Sequence, residues 1–183
     1  MARMIILYGT TEGQTEKIAE HIAAVLNAHR QTTTLVNSED LSKDFPLTDY
    51  DVAIVGASMH SGGYQHSVHD FVKQHQAQLA EMPSAFFSVS MTAAAPTAKE
   101  RSQLDTHLAR FFTETGWHPK QVVSFAGALA YTQYHGPKRW VMRRIARAMH
   151  APTDPSRDYE YTDWEAVTRF AESLLPVAVA TQS

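Results

Sequence analysis

The hydrophobic pattern of this chain switches period repeatedly. Met4, Ile5, Ile6, Leu7 and Tyr8 form an unbroken apolar run, the mark of a strand buried on both faces, and they predict a first strand at Arg3 to Tyr8. Ile18, Ile22, Val25 and Leu26 then recur at helical spacing, which predicts a helix from about Gln14 to His29. Thr32 to Asn37 reads as a second strand, and Tyr50 to Gly56 as a third and more apolar one. A single helix is predicted over His66 to Leu79, packed through Val68, Phe71, Val72 and His75. Ser84 to Ser90 is a fourth strand, Met91 to Thr97 a loop, and Ala98 to Thr115 a helix with Leu104, Leu108, Phe111 and Phe112 inward. Gln121 to Ala130 is predicted as strand five and Asp163 to Leu175 as the closing helix. Strands alternating with helices predict an α/β fold, a doubly wound five-stranded parallel sheet with helices on both faces.

Between the last two elements, Tyr131 to Tyr161 forms an extra block, so we expect one domain over all 183 residues with an insertion at about 131–161. A helix is predicted there from about Pro137 to His150, with Pro137 suited to its first turn and Pro152 just past its end. Trp140, Val141, Ile145, Ala148 and Met149 are expected on one face of it, and Arg139, Arg143 and Arg147 on another. Charge sharpens this picture. The chain carries a net charge of −3, yet Thr115 to Thr153 holds no Asp or Glu while Lys120, Lys138, Arg139, Arg143, Arg144 and Arg147 all fall within it. A basic amphipathic helix of this kind suits an anionic membrane interface or the carboxylates of a substrate. No recognised reader motif accompanies the basic patch, so nucleic acid is not expected as a partner.

Composition removes several function classes. The chain has no cysteine, which excludes disulfides, thiolate metal sites, iron–sulfur clusters and dithiol redox chemistry. His66, His69 and His75 lack a compact set of partner ligands, so no metal is expected. No apolar run approaches the roughly 20 residues of a membrane span, and the first strand begins too early to leave room for a signal peptide. A cytoplasmic location is expected. Nothing in the pattern decides whether the chain forms a homo-oligomer.

The turn after the first strand carries the most specific chemistry. Thr10, Thr11, Glu12, Gly13, Gln14 and Thr15 join an apolar strand to a helix start, where unpaired N–H groups and hydroxyls can face an anion. Gly13 is expected there because the chain must fold tightly over the bound group. No Lys follows the glycine, and the three spaced glycines of a dinucleotide fingerprint are absent, so a terminal phosphomonoester suits this turn best. The segment is similar to the phosphate loop of the flavodoxin superfamily, Ser/Thr-x-x-Gly-x-Thr after the first strand. That resemblance implies FMN as cofactor and a flavodoxin-like sheet in the order 2-1-3-4-5, with the ligand beyond the carboxyl ends of the strands at the switch point. The loop after strand three, with Ser58, Met59, His60, Gly62, Gly63 and Tyr64, and the loop after strand four, with Ser90, Met91, Thr92 and Ala93, are then expected to flank the flavin ring.

A second resemblance is more particular. The segments Gly56 to Ser67, Phe71 to His75, Met82 to Ser90, Phe125 to Tyr134 and Tyr161 to Val167, in this order, resemble the menaquinone-dependent protoporphyrinogen IX dehydrogenases. The likeness covers nearly the whole chain. It implies FMN-dependent oxidation of protoporphyrinogen IX to protoporphyrin IX in haem biosynthesis, with electrons passed to a respiratory quinone, menaquinone or ubiquinone, by a protein held peripherally at the inner face of the cell membrane. The cofactor carries the chemistry, and no catalytic side chain is assigned. Arg139, Arg143, Arg144 and Arg147 are the candidates for contact with substrate or membrane. One departure stands out: a member of that family carries a strongly basic loop after strand four, whereas Met91 to Arg101 here is mostly Thr, Ala and Pro, with only Lys99 and Arg101 as cations. A flavodoxin-type electron carrier and an NAD(P)H:quinone reductase on the same fold therefore stay open as alternatives.

Overall fold

The computed structural model describes residues 1–42, 44–60, 62–94, 98–129, 131–133, 136–148, 154 and 156–175; the side chains of Glu100, Gln133, Lys138, Arg139, Val141, Arg143, Ile145 and Ala148 also lie outside the described set. In chain order the elements are β1 (Arg3–Gly9), α1 (Gln14–Ala28), β2 (Thr32–Asn37), β3 (Val52–Ser58), α2 (His66–Gln74), α3 (Gln76–Glu81), β4 (Ser84–Ser90), α4 (Ala98–Thr115), β5 (Gln121–Ala126), β6 (Ala128–Leu129), α5 (Pro137–Ala148), β7 (Tyr159–Glu160) and α6 (Trp164–Ser173). Five strands form one parallel sheet in the order β2-β1-β3-β4-β5, the flavodoxin-like topology expected from the sequence.

Successive side chains of a strand point to opposite faces, and β1 shows why its apolar run must be continuous. Met4, Ile6 and Tyr8 enter a core shared with Ile18, Ile22 and Leu26 of α1 and with Val167 and Phe170 of α6. Ile5 and Leu7 enter a second core on the other face, with Val68 and Phe71 of α2, Phe111 of α4, and Trp117. Gly56 lies where β3 crosses the Phe87 ring, and a Cβ there would overlap that ring. At its start, α6 is capped by Asp163, whose carboxylate accepts the Ala166 N–H at 3.0 Å.

Three elements differ from the sequence pattern. The helix expected over His66 to Leu79 is two helices, broken at His75. Both the backbone N–H and the ring Nδ1 of His75 reach the Phe71 carbonyl, each at 3.0 Å, and its ring packs 4.4 Å from that of Phe71. The N–H bond is the ordinary helical one; the ring's bond to the same carbonyl is the added feature, and His75 stands at φ −105°, ψ 15°, outside helical geometry. Strand five ends at Ala126 rather than Ala130. The Gly127 N–H still donates to the Ser90 carbonyl at 3.1 Å, but β4 ends there, and Ala128 and Leu129 turn to pair antiparallel with Glu160 and Tyr159. Ala130 lies outside the described residues.

The third difference concerns the face of α5. Trp140 is 61% exposed, as a residue turned toward a membrane would be and one docked on the sheet would not, and Arg144 lies over its ring at 5.0 Å. The buried seam is instead Met142 and Ala146, one turn apart, packed with Leu129, Tyr131, Tyr159, Tyr161 and Met91. At 100° per residue Trp140, Arg144 and Arg147 share the outward side, opposite Met142 and Ala146. The predicted helix end at Met149 and His150 falls outside the described residues, as do the side chains of Val141, Ile145 and Ala148.

Candidate cofactor site

The loops after β1, β3 and β4 all end at the carboxyl edge of the sheet, because parallel strands running the same way deliver their exits to one side. β1 and β3 are neighbours whose chains then depart to opposite faces, and the crevice this opens is where α/β sheets hold ligands. A cavity of about 430 Å³ lies there, lined by Thr10, Glu12, Gln14, Thr15, Ser58, Met59, His60, Gly62, Val89, Ser90, Met91, Thr92, His107, Gly127, Ala128 and Met142. Ligand pockets commonly span roughly 300–1,000 Å³.

At its floor stands the N-terminus of α1. Gly13 precedes it at φ +84°, and no side chain caps the helix. The left-handed φ, not crowding, is what favours glycine here: a Cβ would meet no described protein atom within 4 Å. Thr10 Oγ1 accepts the Gly13 N–H at 2.9 Å and closes the turn. The helix's leading N–H groups therefore face the cavity with the positive end of the helix dipole behind them. Thr15 is fully buried, and among the described residues its hydroxyl has no hydrogen-bond partner. Leaving such a group unsatisfied costs about 1–3 kcal/mol, so it points to a ligand that supplies an acceptor. A phosphomonoester fits this arrangement. Two anchors hold the turn in place. The Tyr8 hydroxyl donates to Glu16 Oε1 at 2.7 Å, tying the first turn of α1 to β1; burial, then that hydrogen bond, pushes the phenol up to about 12. Gln14 Nε2 donates to Thr162 Oγ1 at 2.8 Å, and Thr162 donates onward to the Ala126 carbonyl at 2.8 Å.

After β3 the chain makes a closed turn in which the His60 N–H donates to the Gly63 carbonyl at 2.9 Å and the Gly63 N–H to the His60 carbonyl at 3.0 Å. Gly62, at φ +79°, supplies the left-handed residue this turn requires. Of the residues expected around the cofactor, Thr11, Gly13, Gly63, Tyr64 and Ala93 stand outside the cavity lining. Tyr64 is the largest departure. Its hydroxyl lies 2.9 Å from Ser88 Oγ, and its ring is held edge-on against Phe86 and Phe111 at 5.5 and 5.1 Å, beneath the turn. Burial pushes its phenol up to about 12, opposed in part by the Ser88 bond. Thr11 instead accepts from Gln65 Nε2 at 3.1 Å, and the same amide donates to Ser58 Oγ, so Gln65 links the first two loops.

Five lining residues were not read from the sequence: Val89, His107, Gly127, Ala128 and Met142. His107 carried a signal, since it interrupts the apolar stripe of Leu104, Leu108 and Phe111 on α4. Met142 carried none, because the helical period does not say which side of α5 meets the sheet. Of the four arginines of the basic helix, Arg144 and Arg147 are exposed on its outer side, away from the cavity; the side chains of Arg139 and Arg143 lie outside the described set.

Comparison with known proteins agrees with this geometry. Residues 5–156 match the flavodoxin domain family. Over 179 residues the chain is 35% identical to a Leishmania major protein named protoporphyrinogen IX dehydrogenase (quinone), covering 97% of this chain and 77% of that one. An Escherichia coli K12 protein of the same name is 32% identical over 172 residues, covering 94% of each. Among solved structures, a short-chain flavodoxin associated with a bacterial microcompartment superposes with a TM-score of 0.61 at 16% identity, covering 97% of this chain and 99% of that one. Oxidised flavodoxin 1 from Bacillus cereus gives 0.60 at 18% identity, covering 96% and 98%; at such identities the likeness concerns the fold alone. A flavodoxin-like sheet, an anion cradle at the switch point and this kinship together place the chain in the protoporphyrinogen IX dehydrogenase (quinone) family of flavodoxin-domain oxidoreductases, with FMN as cofactor.

Proposed function

We propose that the protein oxidises protoporphyrinogen IX to protoporphyrin IX and delivers the electrons to a respiratory quinone. The observation that carries this reading is the 430 Å³ cavity itself, which joins a phosphate cradle at Thr15 to an apolar end formed by Met59, Val89, Met91 and Met142. Thr10, Gln14, Thr15 and the start of α1 would hold the phosphate of FMN, with the loops after β3 and β4 beside its ring. When bound, FMN supplies a two-electron acceptor for hydride, and three such removals, each with loss of a proton, aromatise the macrocycle. The side chains have supporting work. Methionines offer polarizable, adaptable surface to the pyrrole rings of the porphyrinogen on one turnover step and to a quinone ring on the next. Among the described residues Glu12, His60 and His107 are the titratable groups lining the cavity, and a proton leaving the macrocycle has these to receive it. Among the described residues no helix is long and apolar enough to cross a membrane. Contact with the bilayer is peripheral in this proposal and runs through Trp140, Arg144 and Arg147 on the outer side of α5. The whole chain forms one FMN-binding domain in this reading.

Supplying the FMN-loaded protein with protoporphyrinogen IX or NAD(P)H as sole reductant, and menaquinone or ubiquinone as sole acceptor, tests the proposal. Turnover with the porphyrinogen supports it. Turnover with NAD(P)H alone makes the protein a nicotinamide:quinone reductase, and reduction by neither leaves an electron carrier.

A further inference from the structure

The turn that walls the cofactor cavity is thin. Gly62 lines the large cavity, whereas Gly63 and Tyr64 line a second one of about 240 Å³ on the far side, together with His66, His69, Arg110 and Glu114; His107 lines both. A wall of one turn with space behind it keeps its shape only if something holds it from behind. The Arg110 guanidinium, on α4, donates to the Gly62 carbonyl. Its Nε faces Glu114 Oε1 at 3.8 Å, and the Glu114 carboxylate also approaches His69 Nε2 at 3.8 Å. His107 presses on Gly62 from the same helix, its Cε1 standing 2.9 Å from where a Cβ would sit.

We propose that Arg110 is a positioning residue for the cofactor. By pinning the Gly62 carbonyl on the α4 side it orients the His60–Gly63 turn, and so fixes which backbone groups and what charge the flavin ring edge meets. The inference rests on FMN occupying the large cavity but not on the identity of the reductant. Reduction moves negative charge onto the ring, and a guanidinium held against this turn, its charge offset only in part by Glu114, favours the reduced form.

FMN titration, the visible spectrum of the bound flavin and its midpoint potential are to be measured for the wild type, Arg110→Met and Arg110→Lys. In Arg110→Met we expect roughly tenfold weaker FMN binding, the scale of one lost charge-assisted hydrogen bond, and a shifted spectrum. If the loss is tenfold greater for the reduced form than for the oxidised form, the potential falls by about 30 mV for a two-electron couple. Arg110→Lys, which can still donate to the carbonyl, should restore most of both. Unchanged affinity, spectrum and potential in Arg110→Met would overturn the proposal. It would equally be overturned if both variants lost affinity alike in step with a lower melting temperature of the apo chain, since Arg110 would then serve folding only. Porphyrinogen is absent from all these measurements, so their failure is distinct from failure of the proposed reaction.

Discussion

Thr15→Val should change the apo and FMN-loaded forms in opposite directions. Valine keeps the shape of threonine and its branching at Cβ, so packing in the first turn of α1 is preserved and only the hydroxyl is lost. In the apo chain that hydroxyl is buried and, among the described residues, unpartnered, which costs about 1–3 kcal/mol. Removing it should stabilise the apo protein by roughly 1 kcal/mol or more, a rise of about 2–4 °C in melting temperature for a chain of this size. With FMN bound, the same hydroxyl is expected to donate to a phosphate oxygen, a charge-assisted bond worth about 1.5–3 kcal/mol. The FMN dissociation constant should therefore rise about 10- to 150-fold. Differential scanning calorimetry of the apo protein and fluorescence titration with FMN give the two halves. An apo variant less stable than wild type, or unchanged FMN affinity, would refute the reasoning that this hydroxyl is held in reserve for the phosphate.

Further expectations follow from the same geometry. Thr15→Glu should abolish FMN binding in a titration, because its carboxylate would meet the phosphate in a buried site. Tyr64→Phe should leave the spectrum of the bound flavin unchanged, since Tyr64 stands outside the cavity lining. It should also flatten the alkaline loss of stability: the native phenol titrates at about 12 and the unfolded one near 10, so its contribution is complete below pH 10 and lost between pH 10 and 12. That loss is at most about 2.7 kcal/mol, and chemical denaturation across pH 9 to 11.5 measures it. Gly56→Ala should destabilise by roughly 2–3 kcal/mol or more in denaturant melts, because the new methyl group overlaps the Phe87 ring. Reversing Arg144 and Arg147 to Glu should weaken binding to anionic vesicles by at least roughly 30-fold, at about 1 kcal/mol per charge; a higher porphyrinogen KM in detergent with unchanged vesicle binding would instead assign these arginines to the substrate.

Much of this was legible in the amino-acid order because it is local. The five sheet strands, the start of α1 at Gln14 and the span Ala98–Thr115 of α4 are written in short-range apolar period, and the phosphate turn in its glycine and hydroxyls. What escaped was either a local side-chain bond that the apolar period does not encode or a pairing with partners distant in sequence. The break at His75 arises from an imidazole choosing the Phe71 carbonyl, and β6 exists because Tyr159 and Glu160 return to meet it. A helix with apolar residues around more than half its girth has no unique inner face until Tyr131, Tyr159 and Tyr161 select Met142 and Ala146. Tyr64 was expected at the cavity from its loop; Ser88 and the Phe86–Phe111 cluster, two elements away, draw it beneath the turn.

The proposed reaction is tested most directly by mixing the FMN-loaded protein anaerobically with protoporphyrinogen IX and following flavin and porphyrin absorbance together. The account predicts that the flavin bleaches as porphyrin absorbance grows, with three flavins reduced per porphyrin formed, and that adding menaquinone or ubiquinone restores the oxidised flavin spectrum. Flavin that stays oxidised with porphyrinogen in excess, while accepting electrons from another donor, would contradict it.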